Sequence, residues 1–393
     1  MFDASLHILK YLFCQGLFSK PYYSKRISSS EVFSSYESFQ TIPFMYKQSL
    51  RDTPVMERTN TALEDIYGFF SSSGTTGEKT FYVYSNKDKE IHEQFVREYF
   101  RQIHITGEDI GAIMAPVGTG VMAHAMLWQF TSVGASYVNC PDPTAENMLE
   151  IVEKVPVSVI ATRPEIAAKI AYDSEMITKA RNSKVRVLAM GGSYLSAERR
   201  KQLEYAWGAD CYNLLGMSEV FGPIAAECAQ KDGMHYFDRY LMIEVLDPVT
   251  KKPVPEGAPG IAVYTTLWDK GFPLLRYWTD DYVRIDASPC PCGSKLPRIY
   301  YLGRKADCIR TEKGLVFSEQ VENVLFAHDM LGEFQISRSE EGYSVEVESE
   351  ELASPPVMIA DLLTELLCSP VSVQMIPLGT LRQDGSKIHI LQS

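Results

Sequence analysis

Residues 71–80 read Ser71-Ser72-Ser73-Gly74-Thr75-Thr76-Gly77-Glu78-Lys79-Thr80 and lie between two apolar runs, 66–70 and 81–84. Hydroxyls, two glycines and a lysine in so short a stretch suit an anion cradle. Glycine permits backbone angles that turn successive N–H groups toward one centre, and the hydroxyls with Lys79 add donors. The pattern is not a Walker A loop, in which lysine directly follows the second glycine, because Glu78 intervenes. A flexible Ser/Gly linker is the alternative on composition alone, but the flanking apolar runs favour a loop held between two strands. A second constellation is Cys228 with His235, a C-x6-H pair, and Cys290 with Cys292, a C-x-C pair followed by Gly293. Four soft or borderline ligands in two close pairs suit a closed tetrahedral zinc of structural type. From spacing alone, buried free thiols beside a core histidine are the slightly favoured reading. On the zinc reading, Cys14, Cys140, Cys211, Cys308 and Cys368 are not ligands.

Elements able to position these residues are legible around them. Ser85 with Asp88 has the form of a capping box, and Ile91, Phe95, Tyr99 and Ile103 recur at helical spacing behind it. Strand-like runs at 110–114, 136–139, 157–162 and 185–190 alternate with helical ones at 121–130 and 146–152. This alternation favours a wound α/β domain with a largely parallel sheet. From about residue 235 the pattern turns strand-rich, and after residue 303 a smaller α+β pattern follows: helix 318–327, strands 334–337 and 343–347, helix 356–367 and strand 371–376. The expected organisation is a large N-terminal wound α/β domain with a strand-rich subdomain, 1–303, then a small α+β domain on a hinge, 304–393. The chain has 393 residues, 45% apolar and 22% charged, with a net charge of -12. That balance argues against a nucleic-acid surface or a polybasic membrane face. The apolar stretch 6–13 lacks a basic leader region and is too short for a span, so it reads as an amphipathic helix of a cytoplasmic protein. No membrane association is expected, and a homodimer is compatible with these features.

Taken in order, six segments resemble the adenylate-forming enzymes, most closely their phenylacetate-coenzyme A ligase-like branch. They are 72–77; Leu215-Gly216-Met217-Ser218-Glu219-Val220-Phe221-Gly222-Pro223; Pro273-Leu274-Leu275-Arg276-Tyr277-Trp278-Thr279-Asp280-Asp281; Cys290-Pro291-Cys292-Gly293; Gly303-Arg304; and Lys387 in a Gly-x-Lys ending. The resemblance implies that a carboxylic acid attacks ATP to give an acyl-adenylate and pyrophosphate, after which a thiol or amine displaces AMP. Such a step gathers negative charge and calls for fixed donors, a cation and a metal ion. By resemblance, Ser72, Ser73, Gly74, Thr75, Thr76 and Gly77, with Lys79, receive the terminal phosphates. Gly192, Leu215, Gly216 and Met217 border the nucleotide, and Ser218 lies beside the α-phosphate. Glu219 would hold magnesium, Asp281 the ribose hydroxyls, Arg304 the ribose or phosphate, and Lys387 the carboxylate and α-phosphate. Zinc at Cys228, His235, Cys290 and Cys292 is likewise favoured by the resemblance.

This chain departs from the family pattern in places. Leu215 stands where an adenine-stacking aromatic is usual. Ser193 follows Gly191-Gly192 where an acid is usual, Ala306 occupies the expected pivot, and the loop 310–317 is shorter. Coenzyme A is the expected acceptor, and the acid is expected to be aromatic. The competing readings are an amide- or ester-forming ligase that uses an amine or carrier, and a non-catalytic nucleotide-binding protein.

Overall fold

A computed structural model describes residues 2–72, 79–115, 120–220, 222–339, 341–381 and 390–391. The chain divides into two compact units, one formed by Met1–Gly107, Val117–Ala135 and Leu214–Tyr300, the other by Glu108–Pro116, Ser136–Asn213 and Tyr301–Ser393.

In the first unit the strands Ile66–Ser71 and Phe81–Ser85 form an antiparallel pair. The second strand runs directly into helix Asn86–Gln102, whose start is the expected capping box: the Ser85 hydroxyl accepts from the Asp88 N–H, and the Asp88 carboxylate from the Ser85 N–H. An antiparallel meander follows, Leu241–Leu246, Gly260–Thr266 and Tyr277–Asp286, with every residue of its middle strand buried. Arg276, itself buried and at φ 50°, ties the N-terminal segment onto this meander. Its guanidinium donates to both oxygens of buried Glu244, at 2.9 and 3.1 Å, and to the carbonyls of Gln40 and Ile42. The Met45 N–H then bonds the Arg276 carbonyl at 3.0 Å. These contacts bring Lys47, two residues on, beside the meander.

In the second unit the strands Ser136–Cys140, Ile110–Met114, Val159–Thr162 and Val187–Gly191 lie in that order, all parallel, as the alternation predicts. Helices Ala145–Lys154, Ser174–Arg181 and Ala197–Trp207 start on side-chain caps from Thr144, Asp173 and Ser196. One apolar core joins Met114, Ile160, Leu188, Leu203 and Trp207. The helix Ala197–Trp207 has no clear sequence signal, because Glu198, Arg199, Arg200 and Lys201 crowd its first turns. It is nonetheless anchored, since buried Arg199 pairs with Glu333 at 3.1 Å and donates to the Gly332 carbonyl. The C-terminal α+β pattern also forms: strands Val371–Ile376, Tyr343–Glu348, Phe334–Arg338 and Ile390–Leu391 in that order, with helices Ser318–Phe326 and Pro356–Leu367 closing a separate core. No helix among the described residues is long and apolar enough to cross a membrane.

Candidate active site

The turn after strand Asp210–Gly216 carries Met217, Ser218 and Glu219, and the Val220 N–H closes it on the Met217 carbonyl at 3.2 Å. Two glycines permit this turn. A Cβ on Gly216 would stand 3.0 Å from the Gly222 carbonyl, and one on Gly222, at φ +80°, would fall 2.1 Å from the His92 ring. Glu219 is thereby placed at 5% exposure. Its Oε1 accepts from the Tyr82 hydroxyl at 2.9 Å and the Tyr277 hydroxyl at 3.0 Å, with Lys47 Nζ at 3.7 Å. The Tyr84 hydroxyl donates to the neighbouring Ser218 carbonyl. Burial first, and the charge of Glu219 second, push the Tyr82 and Tyr277 phenols well above their ordinary pKa, so both remain donors. All three contacts gather on Oε1.

Ser72 sits at the neck of the Ser/Thr/Gly loop. Its N–H bonds the Thr80 carbonyl at 2.9 Å, and its hydroxyl accepts from the Thr80 N–H at 3.2 Å, tying residue 72 to residue 80. Lys79 is exposed. Ser73, Gly74, Thr75, Thr76, Gly77 and Lys387 lie outside the described residues. Leu215 pairs with Ala225 between strands. Asp281 lies on the meander, where its N–H bonds the Thr279 hydroxyl at 3.0 Å and its charge helps push up the pKa of Tyr277.

In the second unit Gly192, at φ +82°, follows the end of strand Val187–Gly191. The Ser193 hydroxyl donates to Glu165 at 3.0 Å, so a carboxylate from another segment stands beside the position where the family acid is missing. Arg304 ends strand Arg298–Arg304 and is exposed; Gly303 before it, at φ +119°, lies against Ser318.

Cys228, His235, Cys290 and Cys292 converge, with their four ligand atoms within 4.8 Å of one another. His235 lies on strand Met234–Tyr236 and Cys228 directly follows its partner strand Pro223–Glu227, while a turn closed by the Gly293 N–H on the Cys290 carbonyl supplies the others. A tetrahedral zinc with Zn–S near 2.3 Å requires sulfurs about 3.8 Å apart and sulfur to nitrogen about 3.6 Å. Cys228 and Cys290 are 3.8 Å apart, and Cys292 Sγ is 3.4 Å from His235 Nε2. His235 Nδ1 is 3.0 Å from the Leu296 carbonyl, which fixes the ring and turns Nε2 to the thiols. Without a metal, burial pushes the Cys228 thiol up to about 12. The donor set, its spacing and the oriented imidazole fit zinc.

An aromatic cluster flanks the hairpin in the first unit. The Phe70 ring lies 5.2 Å from His124 and 6.0 Å from Trp128, and Tyr67 lies 4.6 Å from Trp128. Tyr82 and Lys47 escape motif reading, and Tyr277, although inside the 273–281 segment, gives no sign of its bond to Glu219, since the three meet it from distant segments. The available signal is the alternation of Tyr82 with Tyr84, which directs both to one face of their strand.

The profile of the AMP-binding enzyme family matches residues 22–265. The chain is 28% identical over 352 residues to a phenylacetate-coenzyme A ligase of Thermus thermophilus, spanning 86% of this chain and 78% of that protein. It is 24% identical over 346 residues to the phenylacetate-coenzyme A ligase of Escherichia coli, spanning 84% and 78%. Among solved structures, 2-hydroxyisobutyryl-CoA ligase in the postadenylation state aligns with a TM-score of 0.85 at 18% identity, covering 99% of this chain and 89% of that one.

Proposed function

Because the chain belongs to the AMP-binding enzyme family and groups with its phenylacetate-coenzyme A ligase-like branch, we propose that it activates a carboxylic acid with ATP to an acyl-adenylate, releasing pyrophosphate, and then passes the acyl group to the thiol of coenzyme A. The observation that carries this reading is Glu219, a buried carboxylate held by two phenols and a lysine in the turn the family uses for the phosphates. Tyr82 and Tyr277 hold the carboxylate aimed, so little reorganisation is needed when charge gathers there. Glu219 would hold magnesium, which would supply charge neutralisation at the phosphate oxygens. Asp281 is the acceptor for the ribose hydroxyls, a task that suits two carboxylate oxygens. The segment 72–79 with Lys79 receives the terminal phosphates, Ser218 the α-phosphate, and Gly192 and Leu215 border the nucleotide. Arg304 and Lys387 belong to the part that approaches the bound adenylate, residues 304–393, which turn about 304–306 between the two half-reactions.

The acid is aromatic in this reading. Support comes from the Phe70, His124 and Trp128 cluster, together with relatives that are phenylacetate-coenzyme A ligases and a structural neighbour that is an anthranilate CoA ligase, TM-score 0.63. Cys228, His235, Cys290 and Cys292 hold a structural zinc that staples the strand-rich region. The test is mass-spectrometric capture of the acyl-adenylate formed from ATP and each member of a panel of aryl, arylalkyl and aliphatic acids. An aromatic acyl-adenylate supports the reading, an aliphatic one corrects the acid class, and none from any acid contradicts it.

A further inference from the structure

Lys270 is fully buried, and its ammonium makes no hydrogen bond among the described residues. It hangs from the loop between strands Gly260–Thr266 and Tyr277–Asp286, and that loop is held from elsewhere. Asp88 accepts from the Trp268 indole at 2.7 Å and from the Gly271 N–H at 3.2 Å, in addition to its two bonds from Ser85. Asp88 is thus occupied by other donors. Lys270 Nζ lies instead 4.9 Å from the centroid of the Tyr84 ring and 5.8 Å from that of Phe272. A second buried cation, Arg58, lies 4.6 Å from the centroid of the same Phe272 ring. Burial pulls the lysine pKa below its ordinary value, Arg58 pulls the same way, and Asp88 and Glu219 oppose them. An ammonium removed from water with no hydrogen-bond acceptor is destabilising, and an apolar side chain of equal length would serve the packing better. Its position leads to the site: Tyr84 donates to the carbonyl of Ser218, the residue before Glu219.

We propose that Lys270 is a positioning residue for nucleotide binding, its buried side chain holding the Tyr84 ring against the Ser218 carbonyl. This rests on the reading above that the Ser218–Glu219 turn receives the phosphates. A cation on the ring face holds the phenol where it reaches the Ser218 carbonyl. Stability is given up for that function.

The test uses the full chain and four proteins: wild type, Lys270→Met, Tyr84→Phe and the double variant. Each is measured for melting temperature and for MgATP affinity by calorimetry, readouts that need neither the acid nor the acceptor. Wild-type binding of MgATP tests the underlying reading, and the variants test the lysine. Lys270→Met is expected to melt at or above the wild-type temperature while its MgATP affinity falls about tenfold. Tyr84→Phe is expected to weaken MgATP, and the double variant to be no weaker than the worse single, because both act through one contact. A Lys270→Met protein that melts lower, whether or not affinity changes, marks a merely structural lysine and overturns the proposal. Unchanged affinity, or additive losses in the double variant, overturn it as well.

Discussion

Replacing Cys290 by alanine removes one of four ligand atoms gathered within 4.8 Å. The remaining geometry is that of a metal site missing one corner, since Cys228 loses its partner at 3.8 Å while Cys292 and His235 keep theirs at 3.4 Å. Structural zinc sites contribute roughly 10–16 kcal/mol of binding free energy in small peptides, so one ligand in four is worth roughly 3–4 kcal/mol if they share equally. At about 2–4 °C per kcal/mol for a domain of a couple of hundred residues, the melting temperature should fall by about 6–16 °C. The assay pairs metal analysis with thermal unfolding before and after a chelator. The parent protein is expected to hold about one zinc per chain and to melt lower once chelated. Cys290→Ala should hold substantially less zinc, melt lower from the start and respond little to the chelator. A parent protein without zinc, with a melting temperature that the substitution leaves unchanged, would refute the metal assignment.

Tyr82→Phe removes a hydrogen bond to the Glu219 carboxylate, worth about 1.5–3 kcal/mol, so pyrophosphate release should slow by roughly 10- to 150-fold; an unchanged rate would mean that Glu219 is not the phosphate-side acid. Arg276→Met leaves Glu244 buried without its partner and releases the carbonyls of Gln40 and Ile42, and should destabilise the fold by about 3–5 kcal/mol in urea unfolding. A midpoint matching the parent would show that the N-terminal segment is held by other contacts. Lys387→Ala should abolish most adenylation while calorimetry still shows ATP binding; full activity would remove Lys387 from the reaction.

The legible parts of this molecule are those whose physics is local or periodic. The Ser85 and Asp88 box declares a helix start because both partners lie within one turn. The four parallel strands declare themselves because each is a short apolar run between helical patterns. The thiol and imidazole ligands declare themselves by chemical type, although only the folded chain shows that the two pairs meet. What stays hidden depends on long-range approach. Lys47 and Tyr82 reach one carboxylate from the start of helix Lys47–Arg51 and from a strand, where no spacing along the chain marks them, and Tyr277 meets them there from the meander. Glu165 beside Ser193 is hidden in the same way, as an acid brought in from another segment to a place where the pattern lacks one. Lys270 is hidden for the opposite reason, since a lysine between Asp269 and Gly271 reads as a solvated turn, yet its side chain turns into the core.

The most direct measurement of the central claim is pyrophosphate release from ATP across aromatic and aliphatic acids, first without coenzyme A and then with it. The account expects a single burst with an aromatic acid that becomes steady turnover on adding coenzyme A, with the acyl-coenzyme A recovered as product. A burst that coenzyme A leaves unchanged but an amine or carrier releases would contradict the acceptor. Silence with every acid, from a protein that binds ATP, would contradict the catalytic claim itself.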